Sequence, residues 1–155
     1  MRTPIFLLIL LISSVILTNC DPDDQDNCGK TFTESEANGS INTANDFQIV
    51  MSNGCKVTIT GTVGPNGTDN NDYFIVNPGS ASNIIFRLEW SPNSIVNLYL
   101  RKQGSSIIDS VTGNSNGKAS ITYSLFSAFK LVWVQIGISG PITRTYSLTI
   151  TGFEP

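Results

Sequence analysis

Hydrophobic and polar residues alternate along most of the chain in short runs, separated by clusters of Gly, Asn, Ser and Pro. A period of two sends successive side chains to opposite faces of a strand, so each run reads as a β-strand with one face turned to a core. Val57, Ile59 and Val63 mark the first run, and Tyr73-Phe74-Ile75-Val76 is apolar on both sides, as a central strand is. Ile84, Phe86, Leu88 and Trp90 alternate with Ile85, Arg87 and Glu89 up to a turn at Ser91-Pro92-Asn93. Val96, Leu98 and Leu100 then alternate with Asn97, Tyr99 and Arg101, and Ile107–Val111 is a shorter run ending at a Gly/Asn loop. Ala119, Ile121 and Tyr123 follow; Val132, Val134, Ile136 and Ile138 form the longest apolar face, opposite Leu131, Trp133 and Gln135; Tyr146, Leu148 and Ile150 close the series. Residues 29–55 are less regular, with Thr43–Ile49 a brief strand or a turn of helix. The pattern predicts an all-β fold: an antiparallel two-sheet β-sandwich, jelly-roll-like, of about seven to nine strands.

Residues 1–19 break the pattern. Arg2 precedes the apolar run Ile5–Ile12, a positive start and a short hydrophobic core of the kind found in secretory signal peptides. The run is shorter than the about 20 apolar residues of a membrane-spanning helix. Leu17-Thr18-Asn19-Cys20 resembles the lipobox of bacterial lipoproteins, with Leu three residues before the cysteine and Asn19 where a small residue is usual. The resemblance implies cleavage before Cys20 and a lipid on its thiol, since two or three acyl chains anchor a protein stably where one does not. Plain secretion, with Cys20 an ordinary cysteine, is the alternative. The cysteines number three, which leaves one over in an oxidising compartment. With Cys20 lipidated, Cys28 and Cys55 remain as one pair, and a bridge between them stabilises the fold by roughly 3.5 kcal/mol in the chain-entropy model. Residues 20–33 then form the lipidated cysteine and a spacer, acidic through Asp21, Asp23, Asp24 and Asp26, and residues 34–155 form one domain.

Composition narrows the chemistry. Nine Lys/Arg against twelve Asp/Glu, with no basic cluster, argue against nucleic-acid binding. The chain has no histidine, which removes Ser-His-Asp and Cys-His arrangements, most catalytic zinc sites and the commonest general base near neutral pH. Carboxylate or lysine chemistry is what remains, and Glu89 with Asp109 is the pair to consider for a glycosidase-like reaction. Nothing in their spacing brings these two together, and solvated surface acids are their ordinary reading.

In order along the chain, Glu34-Ser35-Glu36-Ala37-Asn38, Val57-Thr58-Ile59-Thr60-Gly61-Thr62-Val63, Asp69-Asn70-Asn71-Asp72-Tyr73-Phe74, Val96–Leu100, Val132-Trp133-Val134 and Tyr146–Ile150 resemble the segments of the bacterial pre-peptidase C-terminal domain. That family is a β-sandwich appended to secreted proteases and related to the collagen-binding domains of collagenases. In its calcium-binding members the linker acids and the Asp-x-x-Asp-Tyr segment converge on metal. Carried onto this chain, the resemblance implies calcium ligands at Glu34, Glu36, Asn38, Asp69 and Asp72 with the Tyr73 carbonyl, a set of oxygen donors suited to that ion. Gly39 stands where another acid is usual. Solvated acids on a polar loop are the alternative.

In collagen-binding relatives an outward aromatic and apolar row on a late strand grips the ligand, and Leu131, Trp133 and Gln135 occupy a similar row, with Tyr99 a second candidate. A one-residue change of register turns Trp133 into the core instead. The expected function is that of a membrane-anchored, exported, monomeric and non-enzymatic adhesion module in the bacterial cell envelope, at the outer membrane or cell surface. Its expected ligand is a matrix protein, an envelope protein or a glycan, and calcium stabilises it. The alternative is a structural or chaperone-like accessory to an envelope partner.

Overall fold

Val, Ile, Thr and aromatic residues dominate the alternating runs, and these pack best on a pleated, half-buried surface. The computed structural model describes residues 27–65, 70–102, 106–124 and 131–154. The signal segment, Cys20, the spacer up to residue 26 and Asp69 lie outside the described residues. Ten strands form: β1 (Thr31–Thr33), β2 (Asn45–Val50), β3 (Lys56–Val63), β4 (Asn71–Asn77), β5 (Asn83–Trp90), β6 (Val96–Arg101), β7 (Ile107–Thr112), β8 (Lys118–Ser124), β9 (Val132–Ile138) and β10 (Arg144–Phe153). Sheet A has the order β1-β3-β10-β5-β8 and sheet B the order β2-β4-β9-β6-β7.

The chain changes sheet at every connection except the β6–β7 hairpin. Without β1 and β2, the orders β3-β10-β5-β8 and β4-β9-β6-β7 are those of an eight-stranded jelly roll. The sequence pattern predicted this sandwich. It did not show the parallel pairing of β1 with β3 and of β2 with β4. The cause is the crossing itself: a chain that leaves a sheet and returns to it after one strand in the other arrives running the same way.

The inner faces meet in one core that includes Ile59, Phe74, Phe86, Leu88, Leu98, Leu100, Ile136, Leu148 and Ile150, all fully buried. Leu148 of β10 lies between Ile59 of β3 and Leu88 of β5, so the last strand fills the middle of sheet A. Phe32, Phe47 and Phe74 form a stack, with ring centroids 4.8 and 6.2 Å apart, that carries the core out to the N-terminal strands. Cys28 and Cys55 are joined in a disulfide, with Cα atoms 5.0 Å apart, which ties the segment before β1 to the start of β3.

Candidate functional site

Two places gather the residues singled out from the sequence. The first is a polar end of the core. On β3 the inward series Val57, Ile59 and Val63 is interrupted by Gly61, and Tyr146 of β10 is its register partner. Glu34 follows β1, where its main-chain N–H donates to the Thr60 carbonyl at 2.9 Å. Its carboxylate fills the space left by Gly61; a Cβ on that glycine would overlap it. Oε1 accepts from the Thr62 N–H and, at 3.4 Å, from the Thr62 hydroxyl; Oε2 accepts from the Tyr146 hydroxyl at 2.5 Å. Burial holds the Tyr146 hydroxyl well above its ordinary pKa, and the Asp72 and Glu34 carboxylates push it further. Tyr146 therefore stays protonated and donates.

Asp72 is fully buried on the inner side of β4, and Asn38 is fully buried beside that strand, its carbonyl accepting from the Tyr73 N–H at 3.1 Å. The Asn38 side-chain nitrogen donates to Asn45 at 3.2 Å, while its Oδ1 has no hydrogen-bond partner among the described residues. Glu34 and Asp72 thus meet at the Tyr146 hydroxyl, Asn38 is placed beside β4 through its main chain, and Glu36 is exposed. Among the described residues no group of three or more His, Cys, Asp or Glu side chains is arranged to hold a metal ion. The donor chemistry of buried carboxylates and an amide oxygen, with Asn38 Oδ1 unpaired among the described residues, would suit a hard cation.

The second place is the outer face of sheet B. β4, β9 and β6 lie side by side, and their outward residues form rows across the strands: Asn71–Gly137–Asn97, Tyr73–Gln135–Tyr99 and Ile75–Trp133–Arg101. Arg101 Nε donates to Gln135 Oε1 at 2.5 Å, and Gln135 Nε2 donates to Asn71 Oδ1 at 2.6 Å, so the amide is fixed at both ends. The Arg101 guanidinium lies 5.6 Å from the Tyr99 ring centroid. Gly137 leaves a notch into which Asn71 and the Tyr99 ring lean.

Trp133 is on this outer face, outside the core cluster, yet it is only 8 % exposed, and Gln135 only 6 %. Leu131 is open at 38 % and Tyr99 half-buried. The aromatic row is therefore partly covered, and it differs from the freely exposed ridge that alternation alone implied. A strand in the middle of a sheet is flanked on both sides, and large neighbours shield its outward side chains. Beside Trp133, Asp46, Gln48, Ile75, Asn77 and Leu131 line a shallow cavity of about 190 Å³.

Sequence reasoning missed Tyr73, Asn71, Asn97 and Arg101 as members of this face. The signal was present for Asn97 and Arg101, which are out of phase with the apolar positions of their strand, but not on β4, which is apolar on both sides. Nor did the pattern show which strands stand next to one another. Glu89 is on sheet A, paired with Lys118 at 3.4 Å, and Asp109 is on β7 of sheet B, so the fold does not assemble them into one site.

No protein-family model matches this chain, and no curated protein matches it. Among solved structures it is similar to the pre-peptidase C-terminal domain of a collagenase from Bacillus anthracis, with a TM-score of 0.50 and 16 % identity, covering 70 % of this chain and 96 % of that one. It is similar to the same degree to the mitogen derived from Yersinia pseudotuberculosis, with a TM-score of 0.50 and 22 % identity, covering 66 % of this chain and 89 % of that one. At these identities the likeness is one of fold, and the β-sandwich of the pre-peptidase C-terminal type expected from the sequence is the fold of this chain.

Proposed function

We propose that this chain is an exported, lipid-anchored and non-catalytic binding module of the bacterial cell envelope. As a monomer it presents the outer face of sheet B to an extracellular or envelope ligand, a matrix protein or a glycan. One observation carries the reading. Glutamine is ordinarily left solvated at a protein surface, but here an outward Gln135 is 6 % exposed, fixed by Arg101 and Asn71 and flanked by two tyrosines. Such preorganised polar groups among aromatic planes are what recognition surfaces are built from. A binding screen of the solubilised mature protein against matrix proteins, envelope extracts and glycans tests it. A ligand lost on Tyr99→Ala is the expected result, and the absence of any binder across the three sets overturns the reading.

Calcium stabilisation belongs to the same proposal. Asn38, Asp72 and the Tyr73 carbonyl would hold the ion at the polar end of the core, with Asp69 adjoining in sequence. Glu34, held by Thr62 and Tyr146, would supply charge beside it. The ion would neutralise buried carboxylates and fasten the linker to the sandwich. Titration calorimetry with millimolar calcium, and melts with and without it, should show binding and a raised Tm that Asp72→Asn abolishes. At 100-fold saturation the gain is about 2.7 kcal/mol. No heat and no change in Tm overturn this part.

A further inference from the structure

Resting on the reading of this face as a binding surface, we propose that its ligand is a glycan: an uncharged, hydroxyl-rich chain of sugar rings laid across β4, β9 and β6 along the Tyr73–Gln135–Tyr99 row. Three features favour sugar over protein.

The first is size. Neighbouring strands are about 4.8 Å apart and alternate residues about 6.8 Å, so the three-by-three array spans roughly 130 Å² between its Cα positions. A standard protein interface takes about 800 Å² from each partner. The array matches a few sugar rings and falls well short of a protein footprint.

The second is charge and polarity. Arg101 is the one charged side chain in the array, and its Nε is already engaged by Gln135. The other polar members are amides and phenols, which donate to and accept from hydroxyls without requiring a counter-charge. No large, freely exposed apolar anchor occupies the array, since Trp133 is nearly closed off and Ile95, the most exposed large aliphatic residue among the described residues, lies outside it. The desolvated apolar centre on which protein partners depend is therefore lacking.

The third is a pair of orphaned groups that bracket the middle row. Among the described residues, Trp133 Nε1, on a residue more than nine-tenths buried, is a donor with no acceptor, and Asn97 Oδ1 is an acceptor with no donor. Each buried polar atom left so has lost its hydration without a replacement. A sugar hydroxyl satisfies either, because it both donates and accepts. The Tyr99 ring lies over the Gly137 notch next to Asn97. Turning that ring off the notch opens the Asn97 side, and the freed ring then stacks on the C–H face of the sugar.

Carrier-bound hexasaccharides of β-linked glucose, xylose and N-acetylglucosamine, titrated with the detergent-solubilised mature protein, test this. Wild type should bind at least one of them. Tyr99→Ala and Asn97→Ala should each weaken that binding tenfold or more with Tm held, Tyr99→Phe should stay near wild type, and Thr149→Ala on the outer face of sheet A should change nothing. Glycan binding that is indifferent to Tyr99 and Asn97 overturns the proposal. Failure of every glycan, alongside Tyr99-dependent capture of a matrix or envelope protein, overturns the sugar and leaves the binding face standing. Failure of glycans and proteins alike overturns both.

Discussion

At the scale of single residues, Gly61 and Glu34 show most plainly what a linear pattern hides. The acids of the linker were legible as candidate metal ligands, but nothing in their spacing shows that one of them enters the core at the position of a missing side chain. Gly61→Ala places a methyl group where the Glu34 carboxylate sits. Expelling that carboxylate also breaks its bonds to Thr62 and Tyr146, and the loss should be about 2–4 kcal/mol in urea unfolding. Tyr146→Phe gives a second reading of the same cluster. The hydroxyl is held above its ordinary value of about 10 by burial and by Asp72 and Glu34, so above that pH the unfolded chain releases a proton that the folded chain retains. Stability contributed by this group is complete below pH 10 and falls as pH rises beyond it, by up to about 1.4 kcal/mol per pH unit. Tyr146→Phe should therefore be less stable than wild type near neutrality and show a flatter decline between pH 10 and 12. Urea melts across that range check it, and parallel slopes for the two proteins would rule out the mechanism.

At the scale of elements, strand existence was highly legible because period-two alternation is imposed by burial of one face, and each run from Val57 onward became a strand. The N-terminal strands were less so: β1, of three residues, left no pattern, and Thr43–Ile49 read as a brief strand or a turn of helix where β2 forms with Gln48 at φ 54° and a break in its register. Side-chain periodicity fades where a strand is short or bulged. β9 is the opposite case, buried at all seven positions. Its two faces nevertheless do different work: Val132, Val134 and Ile136 fill the core, while Trp133 and Gln135 pack among neighbours on the outer face. Trp133→Ala should cost about 3 kcal/mol despite lying outside the core, because the side chain is almost fully covered. A thermal melt checks it, and an unchanged Tm would mean that the covering residues contribute nothing. The disulfide acts at this scale as well. Cys28→Ala with Cys55→Ala reopens a link spanning 27 residues and should lower stability by about 3–4 kcal/mol, releasing β1 from β3 first.

For the whole molecule, alternation identifies inward and outward positions on each strand but is silent on which sheet a strand joins, and that assignment decides which side chains meet. Tyr73, Tyr99 and Trp133 share a surface only because β4, β6 and β9 become neighbours through connections that cross the sandwich. Sheet A, built from the intervening strands, carries Thr58, Thr60, Thr62, Ser147 and Thr149 outward and offers no comparable aromatic array. The same connectivity governs folding. Of the strand pairs, β6–β7 alone is a hairpin, whereas β3 must wait for β10, pairing Val63 with Arg144. Loop-closure entropy is spent before such distant contacts form, so sandwiches of this kind fold in milliseconds to seconds. Stopped-flow refolding with the disulfide intact, followed by tryptophan fluorescence, should fall in that range. Trp90 on sheet A and Trp133 on sheet B report on both sheets, so a single phase should account for the signal if they form together. A variant with Trp133→Phe leaves Trp90 as the only tryptophan, and its refolding rate should match that of the parent. Separate rates for the two tryptophans would mean that one sheet assembles without the other, so that the outer face of sheet B forms independently of sheet A and its Tyr146–Glu34 cluster.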